Sequence, residues 1–421
     1  MASAEEPVPS IDMAESIRTT PRALTPILET EPGPEDSTTA FHPDADLKVI
    51  IRAPNNDPTI YMVCASALTC ASPVWRSMLY CDAANAREMK DETRYDQTQS
   101  MVLRGDSEAV ALLFRIIHYD FRHVPKEPTL NQLFELSKSA CQYRCTHILY
   151  PWAQQWVSQL ATFFADVNCY SECHKALYVA WTFGETKLYR DMVDALIVSA
   201  KIDLNGKIVN VSGQPLEDML MPSDLLKTIT TTRASTIAKI LDAVKSPIHV
   251  LSTGTQGNSN AYCKVGKDSH ECEIMMLGSA IPTLAKAGLF PVPEHEKFTD
   301  SIVNLKDKLE GVKTIPYIGR EWMPHMSHEN CELGFCKSVM TCLEEMMVPL
   351  SASIMSWMSD QAETCGIEAT AELQEWRRIS NEPSIKHVED HGLVSGLEKE
   401  ADNNDENVVG SAQEENSEGE S

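Results

Sequence analysis

The sequence predicts an α+β protein: a small sheet of short strands flanked by helices, followed by a mainly α-helical region, with tails too polar to fold. Three observations lead there. Residues 47–63 hold two short runs of alternating or continuous apolar residues, the signature of half-buried strands. Apolar residues after residue 106 recur at intervals of three and four, as on helix faces. Both ends are rich in charge, Pro, Ser or Asn and poor in anchors for a core, so they cannot offset the entropy of ordering.

In chain order, residues 1–45 form an N-terminal tail predicted to be disordered, broken by Pro7, Pro9, Pro21, Pro26, Pro32 and Pro34. Residues Asp46 to Ile51 and Thr59 to Val63 are read as strands about a turn at Asn55-Asn56-Asp57-Pro58, with Leu47, Val49 and Ile51 on one face. Ser72 is placed to cap a helix with Pro73 at its first position, where a missing amide hydrogen is harmless. Residues 81–99 read as a surface loop. A strand at Ser100 to Leu103 precedes a helix opened by Asp106-Ser107 and carrying Ala109, Val110, Leu113, Ile116 and Ile117.

The second region, residues 161–365, carries one stripe through Leu188, Met192, Val193, Leu196 and Ile197 and another through Leu226, Ile229, Ile237, Ile240, Leu241 and Val244. Between them Asn205-Gly206 separates two apolar runs, a hairpin signal. Residues 254–260 read as a loop, and helices are expected at 273–289, 301–309 and 332–347. Residues 366–421 are read as a largely disordered acidic tail.

Charge narrows the function classes. The formal net charge is −25; residues 1–45 contribute nine acids against two bases (−7) and residues 389–421 eleven against one (−10), leaving −8 for the middle. No cluster of Lys and Arg suits a phosphate backbone, so nucleic acid is not an expected direct partner. Thirteen cysteines with no signal-peptide pattern ahead of them read as reduced thiols of an intracellular protein, cytoplasmic or nuclear. The apolar runs are too short for a membrane span.

The stretch 46–160 resembles a BTB/POZ domain. The resemblance rests on the paired strands, on Ala67-Leu68, on Ser72-Pro73-Val74-Trp75-Arg76-Ser77-Met78-Leu79, and on Ile116-Ile117-His118-Tyr119. The last phrase, with Val124-Pro125, Tyr143-Arg144-Cys145, Trp152, Trp156 and Trp181-Thr182-Phe183-Gly184, is most similar to BTB proteins of filamentous fungi. Where the transcription-factor branch carries a histidine and a basic residue after the second strand, this chain has Cys64 and Ala65, with Asp46 kept alone.

What the resemblance implies is a non-enzymatic protein-protein interaction module with protein partners. A homodimer would place Leu47, Leu68 and Met78 near its seam. A contact to a cullin, as in substrate adaptors of ubiquitin ligases, would use Phe121, Val124 and Glu127, although Val124 stands three residues before the glutamate where the family motif has two. A scaffold or transcription-linked factor without a ubiquitin role stays open. So does a zinc-binding or enzymatic helical domain.

For that last alternative the second half offers Cys263, His270, Cys272, His325, His328, Cys331, Cys336 and Cys342. Structural zinc sites favour close ligand pairs, and only His328-x-x-Cys331 has such an interval. The sequence therefore assigns no metal and no cofactor, and leaves Cys263, Cys272, His328 and Cys331 as candidate ligands. Cys169 and Cys173, four apart, share a helix face with His174 as a neighbouring imidazole, which a half-buried helix explains as well as a reactive thiol does. Phosphate-binding glycine loops do not occur in the chain. Trp75, Trp152, Trp156, Trp181 and Phe183 are expected in the core, and Arg233, inside an apolar stripe, must be paired or reach solvent.

Overall fold

The computed structural model describes residues 38–52, 58–86, 99–166, 170–222, 224–253, 262–266, 268–317, 327–346 and 348–381. The tails, the 55–58 turn and the 254–260 loop read from the sequence therefore lie wholly or mainly outside the described residues. Those described form a mixed α+β protein, mostly helical, with a small sheet.

Four strands build that sheet: β1 (Thr38–Ala40), β2 (Leu47–Arg52), β3 (Thr59–Val63) and β4 (Gln99–Arg104), in the order β1-β3-β2-β4. β2 and β3 run antiparallel, while β4 lies parallel to β2 and β1 parallel to β3. Alternation decides which face is buried: Leu47, Val49 and Ile51 point inward beside Tyr61, Val63, Met101 and Leu103, with Val49 opposite both Tyr61 and Met101. β1 was not foreseen. It falls in the stretch read as tail and is held by pairing along β3, with Phe41 edge-on to Tyr61 and Phe114.

Two helices, α1 (Ala65–Ala71) and α2 (Pro73–Ala86), join β3 to β4. The break between them is made by Ser72, fully buried, whose Oγ accepts from the Trp75 amide at 3.1 Å and donates to the Tyr143 carbonyl. α3 (Ser107–Ile117) is capped by Asp106, and α4 (Leu130–Gln142) carries a capping box of Thr129 and Gln132. Then come α5 (Tyr150–Asp166), α6 (Cys173–Phe183) and α7 (Thr186–Ser199).

The Asn-Gly signal becomes a hairpin: β5 (Lys201–Ile202) pairs with β6 (Ile208–Val209), with Gly206 at φ 79°. α8 (Leu225–Thr253), α9 (Ser269–Lys286), α10 (Ile302–Glu310), α11 (Phe335–Glu344), α12 (Ala352–Cys365) and α13 (Ala371–Asn381) complete the chain. α13 and its buried Leu373 correct the tail boundary at 366, because average composition hides one short amphipathic helix.

Residues to Arg377 cluster as one compact unit, and those from Arg378 as a second, of which only the end of α13 is described. The two regions separated in the sequence, 46–160 and 161–365, share one continuous hydrophobic core from Leu47 to Leu373. α4 packs on α3 and α6, α6 on α7, α7 on α8, and α8 on α11, while α12 returns to α5 and α6. Trp75, Trp156 and Phe183 are fully buried as expected, each contributing on the order of 2–3 kcal/mol. Trp152 and Trp181 are half-buried, and Trp181 stacks on Trp357 at 4.8 Å. No helix among the described residues is long and apolar enough to cross a membrane.

Candidate functional site

Three separated segments bring four side chains together. Cys272 lies in the first turn of α9, heading the buried stripe Cys272, Met276, Ala280, Leu284. Glu273, its neighbour, accepts from the amides of Tyr262 (2.9 Å) and Cys263 (3.2 Å), which holds the 262–266 turn against the helix. His328 and Cys331 come from the loop before α11, in a turn closed by the Cys331 amide donating to the His328 carbonyl at 2.8 Å. The ligand atoms of Cys263, Cys272, His328 and Cys331 all lie within 4.8 Å of one another, and all four residues are at most 4% exposed.

Cys263 Sγ is 3.3 Å from His328 Nδ1, Cys331 Sγ is 3.9 Å from it, and the two sulfurs are 4.0 Å apart. That is far beyond the roughly 2.05 Å of a disulfide, and these cysteines are free thiols. Around them, the Lys264 amide donates to Cys331 Sγ at 3.3 Å, the Lys264 ammonium donates to the Asn330 carbonyl at 2.6 Å, and the Tyr317 ring meets His328 edge-on. Burial pushes the Cys272 thiol up, a Tyr317 backbone hydrogen bond opposes the shift, and the Cys331 and Cys263 thiols add to it. Of the other candidates in this half, His270 and Cys336 are exposed and Cys342 is half-buried; none joins the group, and His325 lies outside the described residues.

Elsewhere three thiols near α4 and α12 are inert in character. Burial raises Cys141, and lifts Cys145 and Cys365 to about 12 each; a nucleophilic thiol needs the opposite shift. Cys173 is buried in α6, and Cys169 falls outside the described residues. His174, lowered mainly by burial, has a buried Nδ1 with no hydrogen-bond partner. No group orients it as a base among the described residues.

The residues read as partner contacts divide in two. Leu47 and Leu68 are 0% exposed and Val124 is 7% exposed, which corrects their reading as contact residues: an apolar residue on an amphipathic element fits core and interface alike, and here the core claims it. Met78 is half-buried, whereas Glu127 is exposed and Phe121 is 50% exposed.

Phe121 adjoins a groove of about 680 Å³ also lined by Cys64, Ala67, His118, Tyr119 and Trp152. Tyr119, at φ 62°, is turned out and 81% exposed; its ring and that of Trp152 both pack edge-on to Phe121. His118 anchors this rim from below: its Nε2 accepts from the Cys64 amide at 3.0 Å while Nδ1 lies 2.7 Å from the Phe114 carbonyl, an arrangement that requires the neutral Nδ1–H tautomer. Burial lowers the His118 pKa in the same sense. Asp46 accepts from the Ala65 amide at 2.7 Å at the start of α1. Phe121 was named from the sequence, but the rim as a group was missed because Trp152 lies 31 residues beyond it and the two rings meet only in the fold.

Neither a scan against protein-family models nor a search of curated proteins gives a match to this chain.

Proposed function

We propose that the chain is a non-enzymatic protein-interaction module of the BTB/POZ type, which engages protein partners through the loop after α3. The observation that carries this reading is the order of elements in residues 46–142. An antiparallel hairpin (β2, β3), a helix pair (α1, α2), a strand parallel to the first (β4) and the helix α3 follow in the sequence expected of that family. The stretch after α3 then presents two solvent-facing aromatic rings, Tyr119 and Phe121, with the exposed acid Glu127 six residues further along the chain. Exposed aromatics at the centre of a patch are the residue types that anchor interfaces. The upward shifts at Cys141, Cys145 and Cys365 speak against these three thiols as nucleophiles.

Within this class, a cullin contact is the finer proposal, resting on the family resemblance and on the exposure of Phe121 and Glu127. The buried Val124 takes no part in it. A homodimer seam keeps only Met78 of its three sequence-derived residues. The test is affinity purification of tagged full-length protein from its native cells with mass spectrometry, beside a Phe121→Asp, Glu127→Arg variant whose fold is checked by circular dichroism. A cullin recovered with the wild type and lost with the variant supports the adaptor reading. Partners other than a cullin, unaffected by the variant, leave a scaffold that works through another face. A chain that recovers no partner contradicts the proposal.

A further inference from the structure

We propose that Cys263, Cys272, His328 and Cys331 bind one zinc ion as a closed, structural Cys3His site. The inference is independent of the BTB reading, since it concerns the helical half alone.

Geometry is the first argument. Tetrahedral zinc with Zn–S near 2.3 Å and Zn–N near 2.05 Å separates its ligand atoms by about 3.8 Å for sulfur pairs and about 3.6 Å for sulfur and nitrogen. The chain holds Cys263 and Cys331 sulfurs at 4.0 Å and His328 Nδ1 at 3.3 and 3.9 Å from them, with Cys272 within 4.8 Å of all. The three distances among Cys263, His328 and Cys331 lie within about 0.4 Å of the ideal spacing. A pair of neighbouring thiols is common, but three thiols and an imidazole nitrogen converging from three chain segments on one buried point is the donor set that zinc selects.

The surroundings fit a thiolate complex. Three thiolates and a neutral imidazole around Zn²⁺ carry one net negative charge, and the Lys264 amide donates to Cys331 Sγ while its ammonium lies beside the same loop. Such hydrogen bonds to sulfur are the outer shell that orients ligands and spreads their charge. With four protein ligands, all buried, no coordination position is open to substrate, so the site is structural. It would staple the 262–266 turn, the start of α9 and the 327–333 loop, of which only α9 is regular secondary structure.

The experiment uses the purified full-length chain. Metal analysis of the protein as isolated should give about one zinc per chain. Replacing the metal with Co²⁺ should give the charge-transfer and visible bands of tetrahedral cobalt thiolate. Cys272→Ser and Cys331→Ser should lose the zinc and those bands, while Cys342→Ser, outside the group, should keep both. Because the serine variants could also fail to fold, the wild type alone decides: folded protein that arrives without zinc and yields no thiolate bands with Co²⁺ overturns the proposal. Bands retained by both Cys272→Ser and Cys331→Ser overturn the assignment to these ligands.

Discussion

Arg233 Nη2 donates a 2.6 Å hydrogen bond to the backbone oxygen of Asp300, and the same guanidinium reaches the carbonyls of Ala200 (3.0 Å) and Thr299 (3.4 Å). The residue is 3% exposed. It therefore ties α8 to the end of α7 and to the segment before α10, with burial lowering its pKa and the Asp300 charge raising it. Arg233→Met should fill the volume but take the donor from the Ala200 and Asp300 carbonyls, while the Thr299 carbonyl keeps the Ile202 amide at 2.8 Å, destabilising the protein by roughly 2–5 kcal/mol. Urea unfolding followed by circular dichroism checks this; an unchanged midpoint would show that the carbonyls find other donors.

Gly184 ends α6 at φ 82°, and a Cβ there would run into the backbone of Met358 and Ala362 on α12. Two costs add: left-handed strain and displacement of a helix. Gly184→Ala should lose about 3 kcal/mol or more. Gly206→Ala, at φ 79° with nothing within 4 Å of the new atom, should lose only the strain, about 1–2 kcal/mol. Equal losses would refute the close-approach argument.

Asp194, half-buried on α7, is raised to about 6 by burial first and the Asp191 charge second, against the pull of Arg190. A carboxyl whose folded pKa lies above its unfolded value favours the folded state at low pH and loses that contribution as pH rises through the folded value. Asp194→Asn should therefore stabilise the protein at pH 7.5 by roughly 1–3 kcal/mol. The gap to the wild type should narrow as pH falls from about 6 towards about 4. Unfolding curves across that range are the check, and a gap independent of pH would rule the carboxyl out as its cause.

Ser72 performs two roles with one hydroxyl, capping α2 through the Trp75 amide and satisfying the Tyr143 carbonyl. Ser72→Ala should cost about 1–3 kcal/mol. Ser72→Gly should keep most of that cost, because glycine spares the cap conformation yet still leaves the Tyr143 carbonyl unpaired. Thermal unfolding of both variants separates the roles: a mild Ser72→Gly effect would mean that only the cap matters.

Features set within a few residues were readable in the chain. Ser72-Pro73, Asp106-Ser107 and Asn205-Gly206 announce caps and a turn by local chemistry alone, and each occupies its expected place. Depth was harder to read. Leu47, Leu68 and Val124 carry the same apolar character as interface anchors, and only the fold shows them sealed inside. The Cys/His group illustrates the limit best. The nine-residue interval from Cys263 to Cys272 looks too wide for paired ligands. It is bridged by Glu273 folding the 262–266 turn back on α9, and the other half of the set arrives 56 residues later. Spacing along the chain says nothing of such long-range closure.

The return of α12 to the first half of the chain also has a meaning in time. Cys365 donates to the Thr146 carbonyl across 219 residues of sequence, and Glu368 reaches Gln154 across 214. On a ribosome adding roughly 5–20 residues per second, the apolar flank of α5 and α6 emerges roughly 10–45 s before the helix that covers it exists. For that interval the nascent protein carries an uncovered apolar surface, which a truncated chain ending before Ala352 would carry permanently.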